Sequence, residues 1–528
     1  MKILHFRLIS LFLFFSVSFS GQAQEDSVTK DSVTVDISLN QTLSSQNYLP
    51  HYLAANRFGV LDFADDDVSW LNIRSEGRYS LLDKLELIGG LQAIGKAGID
   101  EGKAYDAFLQ QAYAGIRFHF LQFTAGRMER TLGTTAGELS SGSLALSQNA
   151  RPMPMLLISV PEYTDVPFTK GYLQFKGTYA HGWFGEERFM TNALLHEKSF
   201  YLRGGGKKAK IYAGLVHLVV WGGEHPTFGE APASFDDYLR VISSSAGVNL
   251  NADGGNPIYG EQKNVLGDNL GIFDFGAESS LGFADLLLYY QIPYADWSGT
   301  RFWRNKDQLA GISLKNKTDF QYISGFAYEY LNTKFQSGPG FTDPQGNDPN
   351  DNFGYDYGGR DNYYNNYLYR SGWTYQDRIL GTPLFFTKAR MQYYVPGFED
   401  PDINRFDFNI VNNRIIAHHF GIKGRISPQI EYGFLATFSK NYGTYGGLNG
   451  GIGRWESITN PDLEYAFKPP LRQNYFLLEV TTPLLQRKLE LHTSIAVDRG
   501  ELTNNFGIMA GLRWKQGWYL KGKKDPSR

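Results

Sequence analysis

The sequence predicts an all-β fold, a transmembrane antiparallel outer-membrane β-barrel of about 18 strands with long extracellular loops. Three observations point to it. Aromatic residues make up 15% of the 528 residues, with 33 Tyr, 38 Phe and 58 Gly, yet mean hydropathy is only -0.34. Short segments alternate polar and apolar residues, as strands with one lipid-facing and one lumen-facing side require. Tight turns alternate with long connections, the asymmetry expected of periplasmic turns and outer loops.

The chain opens "MKILHFRLISLFLFFSVSFSGQAQ", in which Lys2 and Arg7 accompany an apolar run from Leu8 to Phe19 that ends in Gly21-Gln22-Ala23. Residues 1–23 therefore read as a secretory signal peptide and 24–528 as a single barrel domain. Beyond the signal no apolar run reaches the ~18 residues of a spanning helix. Only about ten polar residues, "EDSVTKDSVT", precede the first strand. Cysteine is absent, which excludes thiol catalysis, thiolate metal sites and disulfides. The 51 basic and 54 acidic residues are evenly spread, so no nucleic-acid footprint exists.

The first strand runs from Val33 to Leu43 and the last from Phe506 to Trp514. Between them, "SWLNIRSEGRYSLLDKLELIGGLQAIG" turns near Leu82-Asp83-Lys84, and "FLQQAYAGIRFHFLQFTAGRM" turns at His119-Phe120. "NALLHEKSFYLRGGGKKAKIYAGLVHLVVW" turns at Gly204 to Lys208, and "GIFDFGAESSLGFADLLLYYQI" near Leu281-Gly282. Further turns fall at Asn316-Lys317, Ser427-Pro428 and Leu485-Gln486. Long connections occupy 44–68, 131–153, 222–269, 293–307, 333–410 and 441–471. Within 333–410, "LFFTKARMQYYV" reads either as a strand, which would need a partner and raise the count by two, or as part of an ordered outer segment.

Five residues in one hairpin, His196, Glu197, His217, Glu224 and His225, invite a metal or catalytic reading. Their spacing lacks the close repeat of a zinc site, and no serine pairs with them as a nucleophile. They read instead as polar positions at different depths, with His217, Glu197 and Arg203 in the lumen, Tyr212 turned outward, and Glu224 and His225 already at the start of an outer loop. "DPQGNDPNDN" at 343–352 lacks calcium-loop spacing and reads as a solvated turn-rich loop. No catalytic residue, metal or cofactor is expected.

Two loop stretches carry a different chemistry. "PYADWSGTRFWRNKD" sets Trp297 and Trp303 beside Asp296 and Arg301, and "GYDYGGRDNYYNNYLYRSGWTYQDR" gathers Tyr363, Tyr364, Asn365 and Trp373. Sugar C–H faces lie on flat rings, while hydroxyls bond planar amides and carboxylates, so these eight residues are the candidate carbohydrate contacts. Loops 222–269, 293–307 and 333–410 would form the surface. The alternative is that the rings belong to an interfacial girdle or to loop cores.

The stretches "SGSLALSQNARPMP", "LLHEKSFYLR" with "AGLVHLVVWGG", "NVLGDNLGIFDFG", "LLYYQIPYADWSGTRFWRNKDQLAGISL" and "NNYLYRSGWTYQDRILGTPLFF" resemble, in order, motifs of the capsule-assembly Wzi family in its Bacteroidetes-type form. The resemblance implies an 18-stranded, non-enzymatic outer-membrane lectin. Its partners would be capsular or other surface polysaccharide and, around the barrel, outer-membrane lipid and lipopolysaccharide. Better-known members carry a helical bundle before the barrel, which the short polar segment here cannot form. The rival functions are a diffusion or substrate-specific porin and an outer-membrane hydrolase.

Overall fold

A computed structural model describes residues 31–98, 105–245, 266–295, 300, 305–336, 361–395, 408–444, 467, 469–485 and 489–520. Eighteen strands form one antiparallel sheet: β1 (Ser32–Ser44), β2 (Val68–Leu82), β3 (Leu85–Gly98), β4 (Asp106–Phe118), β5 (Leu121–Arg127) and β6 (Pro154–Asp165). These are followed by β7 (Leu173–Gly185), β8 (Ala193–Gly205), β9 (Ala209–Trp221), β10 (Asp268–Ser280), β11 (Ala284–Tyr294) and β12 (Gln308–Asn316). The wall is completed by β13 (Gly325–Asn332), β14 (Ile415–Arg425), β15 (Glu431–Asn441), β16 (Leu471–Leu484), β17 (Leu489–Gly500) and β18 (Asn505–Tyr519). Each strand pairs with the next, and β1 pairs with β18 from Ser32↔Tyr519 to Ser44↔Gly507, which closes the barrel. Closure satisfies every ladder amide and carbonyl without water, the condition lipid imposes.

Side-chain alternation follows the pleat. Leu39, Leu71, Ile73, Leu91, Ile116, Phe123 and Ile211 stand exposed on the outer face, while Gln92, Glu197, Asp274, Gln291, Glu329 and Asp498 are buried inside. At the turn end, Phe120, Phe168, Tyr172, Phe283, Phe320 and Trp518 are exposed and form the periplasmic aromatic girdle. Inside, tyrosines lie flat across glycines on the next strand: Tyr201 opposes Gly214 and Tyr289 opposes Gly311. A Cβ at Gly214 would sit 2.2 Å from the Tyr201 ring, and one at Gly311 2.0 Å from Tyr289. Glycine there leaves room for a ring to run along the wall.

The strand count and the predicted turns agree with the structure. The connection at 166–172 is a further periplasmic turn, and 186–192 and 501–504 are short outer connections that the pattern of long loops does not include. "LFFTKARMQYYV" does not cross the membrane. Phe386 and Thr387 pair with 410–412, and α3 (Lys388–Tyr394) follows, with the Thr387 hydroxyl accepting from the Arg390 amide at 3.3 Å. Among the described residues the outer loops also hold the α-helices α1 (His51–Ala54) and α2 (Phe235–Ser243), of four and nine residues.

One expectation is reversed. In β9 it is Tyr212, Val216 and Leu218 that point inward, Tyr212 reaching Asp274 at 3.3 Å, and His217 that points outward with Ile211 and Leu215. His196 shares that outer face, one step from His217 in the β8–β9 register. The assignment rested on keeping imidazole out of lipid. The fold meets that need differently: Tyr238 of α2 packs edge-on against His196 from outside, and His217 beside it is buried with its Nε2 2.9 Å from Asn269 Oδ1. Glu197 and Arg203 do face the lumen, as expected.

Candidate functional site

The outer half of the lumen is filled by L1 (45–67), L3 (128–153) and the described residues of L7, the connection 333–414, namely 333–336, 361–395 and 408–414. Wall residues hold L3 first. Glu329 on β13 accepts from the Ser140 hydroxyl at 2.5 Å, the Ser141 amide at 2.7 Å, the Ser141 hydroxyl at 2.6 Å and the Tyr289 phenol at 2.6 Å. Gln291 accepts from the Leu144 amide at 3.0 Å and donates to the Thr134 carbonyl at 2.9 Å. Asp274 accepts from the Thr134 amide at 2.6 Å and from Tyr201 at 2.9 Å. Arg130 makes a two-pronged pair with Glu197, one arm at 2.7 Å. Charged groups sealed in a lumen are tolerable because each finds its partners.

L7 is stitched onto L3. Trp373 Nε1 donates to the Ala145 carbonyl at 2.8 Å, Tyr364 to Leu144 at 2.5 Å, Ser147 Oγ to Gly381 at 2.6 Å and Asn149 Nδ2 to Ile379 at 2.8 Å. L1 is clasped from two sides. The His51 amide donates to Asp498 of β17 at 2.8 Å, and Arg390 of α3 donates to His51 Nδ1 at 2.7 Å and to Tyr394 at 2.8 Å. Burial, with Arg390 and Arg378 nearby, holds the His51 imidazole well below its usual 6.5. Arg378 donates to the Ala54 carbonyl at 2.6 Å, and burial lowers its guanidinium to about 10.

Over this plug lies an outer pocket of about 430 Å3 between L1, L3, L7 and the short loop 186–192. Asp62, Arg151, Glu187, Gln376, Asp377 and Tyr393 are among the residues that line it, so that charges of both signs lie beside aromatic rings and side-chain amides. Gln376 and Asp377 form the tip of a hairpin in which Thr374 pairs with Ile379 and Tyr375 with Arg378. Both tip residues are left-handed, with φ of 49° and 56°. That turn type ordinarily takes Asn-Gly, and holding two larger residues there costs on the order of 1 kcal/mol each. On the other side of L1, a lumenal vestibule of about 340 Å3 is lined by Trp70, Asn72, Arg74, Glu479, His492 and Arg513.

The structure separates the predicted contacts. Tyr363, Tyr364 and Trp373 are 1%, 5% and 2% exposed, their polar atoms bonded within the plug. Tyr363 donates to Asp307 at 2.9 Å, and Asn365 bonds Ile410 both ways, at 2.8 and 3.1 Å. In this conformation their faces are covered by protein, the loop-core alternative. Asp296, Trp297, Arg301, Trp303 and the 343–352 stretch lie outside the described residues, as does the N-terminal segment. Gln376, Asp377, Arg151 and Tyr393 were not singled out from sequence. The signal available was "TYQDR", a two-residue turn between paired positions.

Comparison with known proteins fits this geometry. An outer membrane protein of Escherichia coli involved in group 1 capsule assembly, described as a carbohydrate-binding β-barrel, aligns over 90% of this chain and 83% of its own, at 14% identity and a TM-score of 0.52. At that identity the likeness shows the fold. OccAB2 of Acinetobacter baumannii aligns over 93% of this chain and all of its own, at 9% identity and a TM-score of 0.44, too distant to carry an argument. Argininosuccinate synthase of Psychrobacter arcticus is 27% identical over 191 residues, 36% of this chain and 38% of that protein, well under half of either. The family model described as capsule assembly protein Wzi matches residues 14–393, more than half of the sequence. The chain therefore belongs to the Wzi capsule assembly family, as an 18-stranded barrel of the outer membrane.

Proposed function

We propose that the protein is a lectin that holds capsular or other surface polysaccharide at the cell surface, binding at the outer pocket and on the loops around it. The observation that carries this reading is the strained Gln376–Asp377 tip set into a pocket that also holds Arg151 and Tyr393. Backbone strain persists where something beyond stability maintains it. An amide, carboxylates, a guanidinium and a phenol ring are the groups that recognise hydroxyls, acidic substituents and pyranose faces. Asp296, Trp297, Arg301 and Trp303 belong to the same reading as outer contacts. Tyr363, Tyr364, Asn365 and Trp373 support the site from beneath. The reading is one of binding without catalysis, and it is supported by the family and by the buried carboxylates Asp274, Glu329 and Asp498, each of which holds a loop. Export through a cleaved signal at residues 1–23 is part of the same reading.

The test is retention of purified capsule polymer on the folded barrel. Asp377→Ala with Gln376→Ala, and separately Trp297→Ala with Trp303→Ala, should each weaken it. Retention unchanged by both pairs would remove the outer surface as the site.

A further inference from the structure

The helix α2 lies in the loop between β9 and β10, yet it does not extend outward over the mouth. Tyr238 stacks on Trp221 at 5.3 Å, and its hydroxyl is 3.0 Å from that of Tyr179. Val241 and Leu266 complete a small buried cluster with Val219 and Trp221 on the outside of the barrel. The ammonium of Lys198, also on the outer face, bonds the Ile242 carbonyl in the last turn of the helix, where a cation suits the helix dipole. His217 bonds Asn269 at 2.9 Å within the same outer-face patch.

The depth of this patch follows from the strand. A tilted strand climbs about 2.5 Å per residue, so from Ile211 to Trp221 β9 crosses about 25 Å, the height of the apolar band. Ile211 and Leu215, 71% and 43% exposed, belong to that band. His217, Val219 and Trp221 continue it upward, and there α2 takes the place of lipid.

The helix divides into three sectors at 100° per residue. Tyr238 and Val241 face the wall, and Asp236, Asp237 and Arg240 form one flank. The other flank carries Phe235, Leu239 and Ile242; Phe235 is 73% and Leu239 48% exposed. A capping box of Ser234 and Asp237 fixes the start of the helix and hence the direction of each flank.

We propose that α2 is an outer-leaflet anchor, with Phe235 and Leu239 seated among the acyl chains that surround the barrel and its acidic flank turned to the headgroups and water. The apolar flank is continuous with the lipid-facing band, and an interfacial helix buries its apolar side at the acyl boundary in this way. The chain has no cysteine, so Leu239→Cys, Phe235→Cys and Asp236→Cys each give a single site for a bimane label on the full-length protein. Each labelled protein is folded into phosphatidylcholine vesicles with or without brominated acyl chains, and heat-modifiable migration confirms folding. Bromine should quench the labels at 235 and 239 and spare the label at 236. Quenching of 235 and 239 by aqueous iodide instead, or shielding of both from bromine and iodide alike, would overturn the proposal and assign the flank to water or to another protein surface.

Discussion

The carboxylate of Glu329, on the barrel wall, accepts both the amide and the hydroxyl of Ser141, in a loop 188 residues away in sequence. With Ser140 and Tyr289 it has four donors and no exposure. The plug is thus fastened to the wall by a group that cannot be removed without orphaning several others.

Glu329→Ala should therefore destabilise the barrel by about 3 kcal/mol, since buried donors lose their acceptor. It should also let the lumen leak. Planar-bilayer conductance reads the second effect: near-silent for the native chain, open for the variant. A native chain that conducts like a diffusion porin would argue against a sealed lumen.

Gly311→Ala should act through the same carboxylate. The added methyl displaces the Tyr289 ring from its path along the wall, so the hydroxyl no longer reaches Glu329 at 2.6 Å. A loss of about 1–3 kcal/mol is expected from overpacking. Glu329→Ala and Gly311→Ala together should cost less than the sum of the two, which thermal melts of the four proteins would measure.

The strained hairpin predicts a trade. Gln376→Gly relieves a left-handed residue and should raise stability by up to about 1 kcal/mol while lowering polymer retention. If stability rises with retention intact, the side chain at 376 is not a contact.

His51 ties the plug to pH. Its imidazole is held neutral below its ordinary 6.5, so as pH falls through that value the unfolded chain takes up a proton that the folded chain refuses. Stability from this residue is complete above pH 6.5 and declines below it, by at most about 1.4 kcal/mol per pH unit. His51→Gln, which keeps an acceptor for Arg390, should flatten that decline in melts between pH 7.5 and 5. Equal slopes would acquit His51.

The wall was legible in the sequence because lipid imposes a strict period of two on it, and turns such as "LLDKLEL" punctuate that period. What the loops do inside the barrel was not. Trp373 and Tyr364 look alike in sequence whether they meet a sugar or the carbonyls of Ala145 and Leu144, and only tertiary contact distinguishes the two. His217 was misplaced for a related reason. Alternation reports that two faces differ, and the lipid face was identified by excluding imidazole from it. A helix from a following loop removes that exclusion, and no local pattern announces it. The pocket residues Arg151 and Asp377 are ordinary loop charges until L3 and L7 are brought together.

The clasp on His51 has a consequence for how the molecule is made. L1 follows the first strand, Asp498 lies on the next-to-last, and β1 and β18 form the closing seam. The loop from the first hairpin is thus gripped by residues synthesised hundreds of positions later, across the same edge that zips shut. The clasp on the stopper is therefore complete only once the last two strands are in place, the same strands that complete the cylinder.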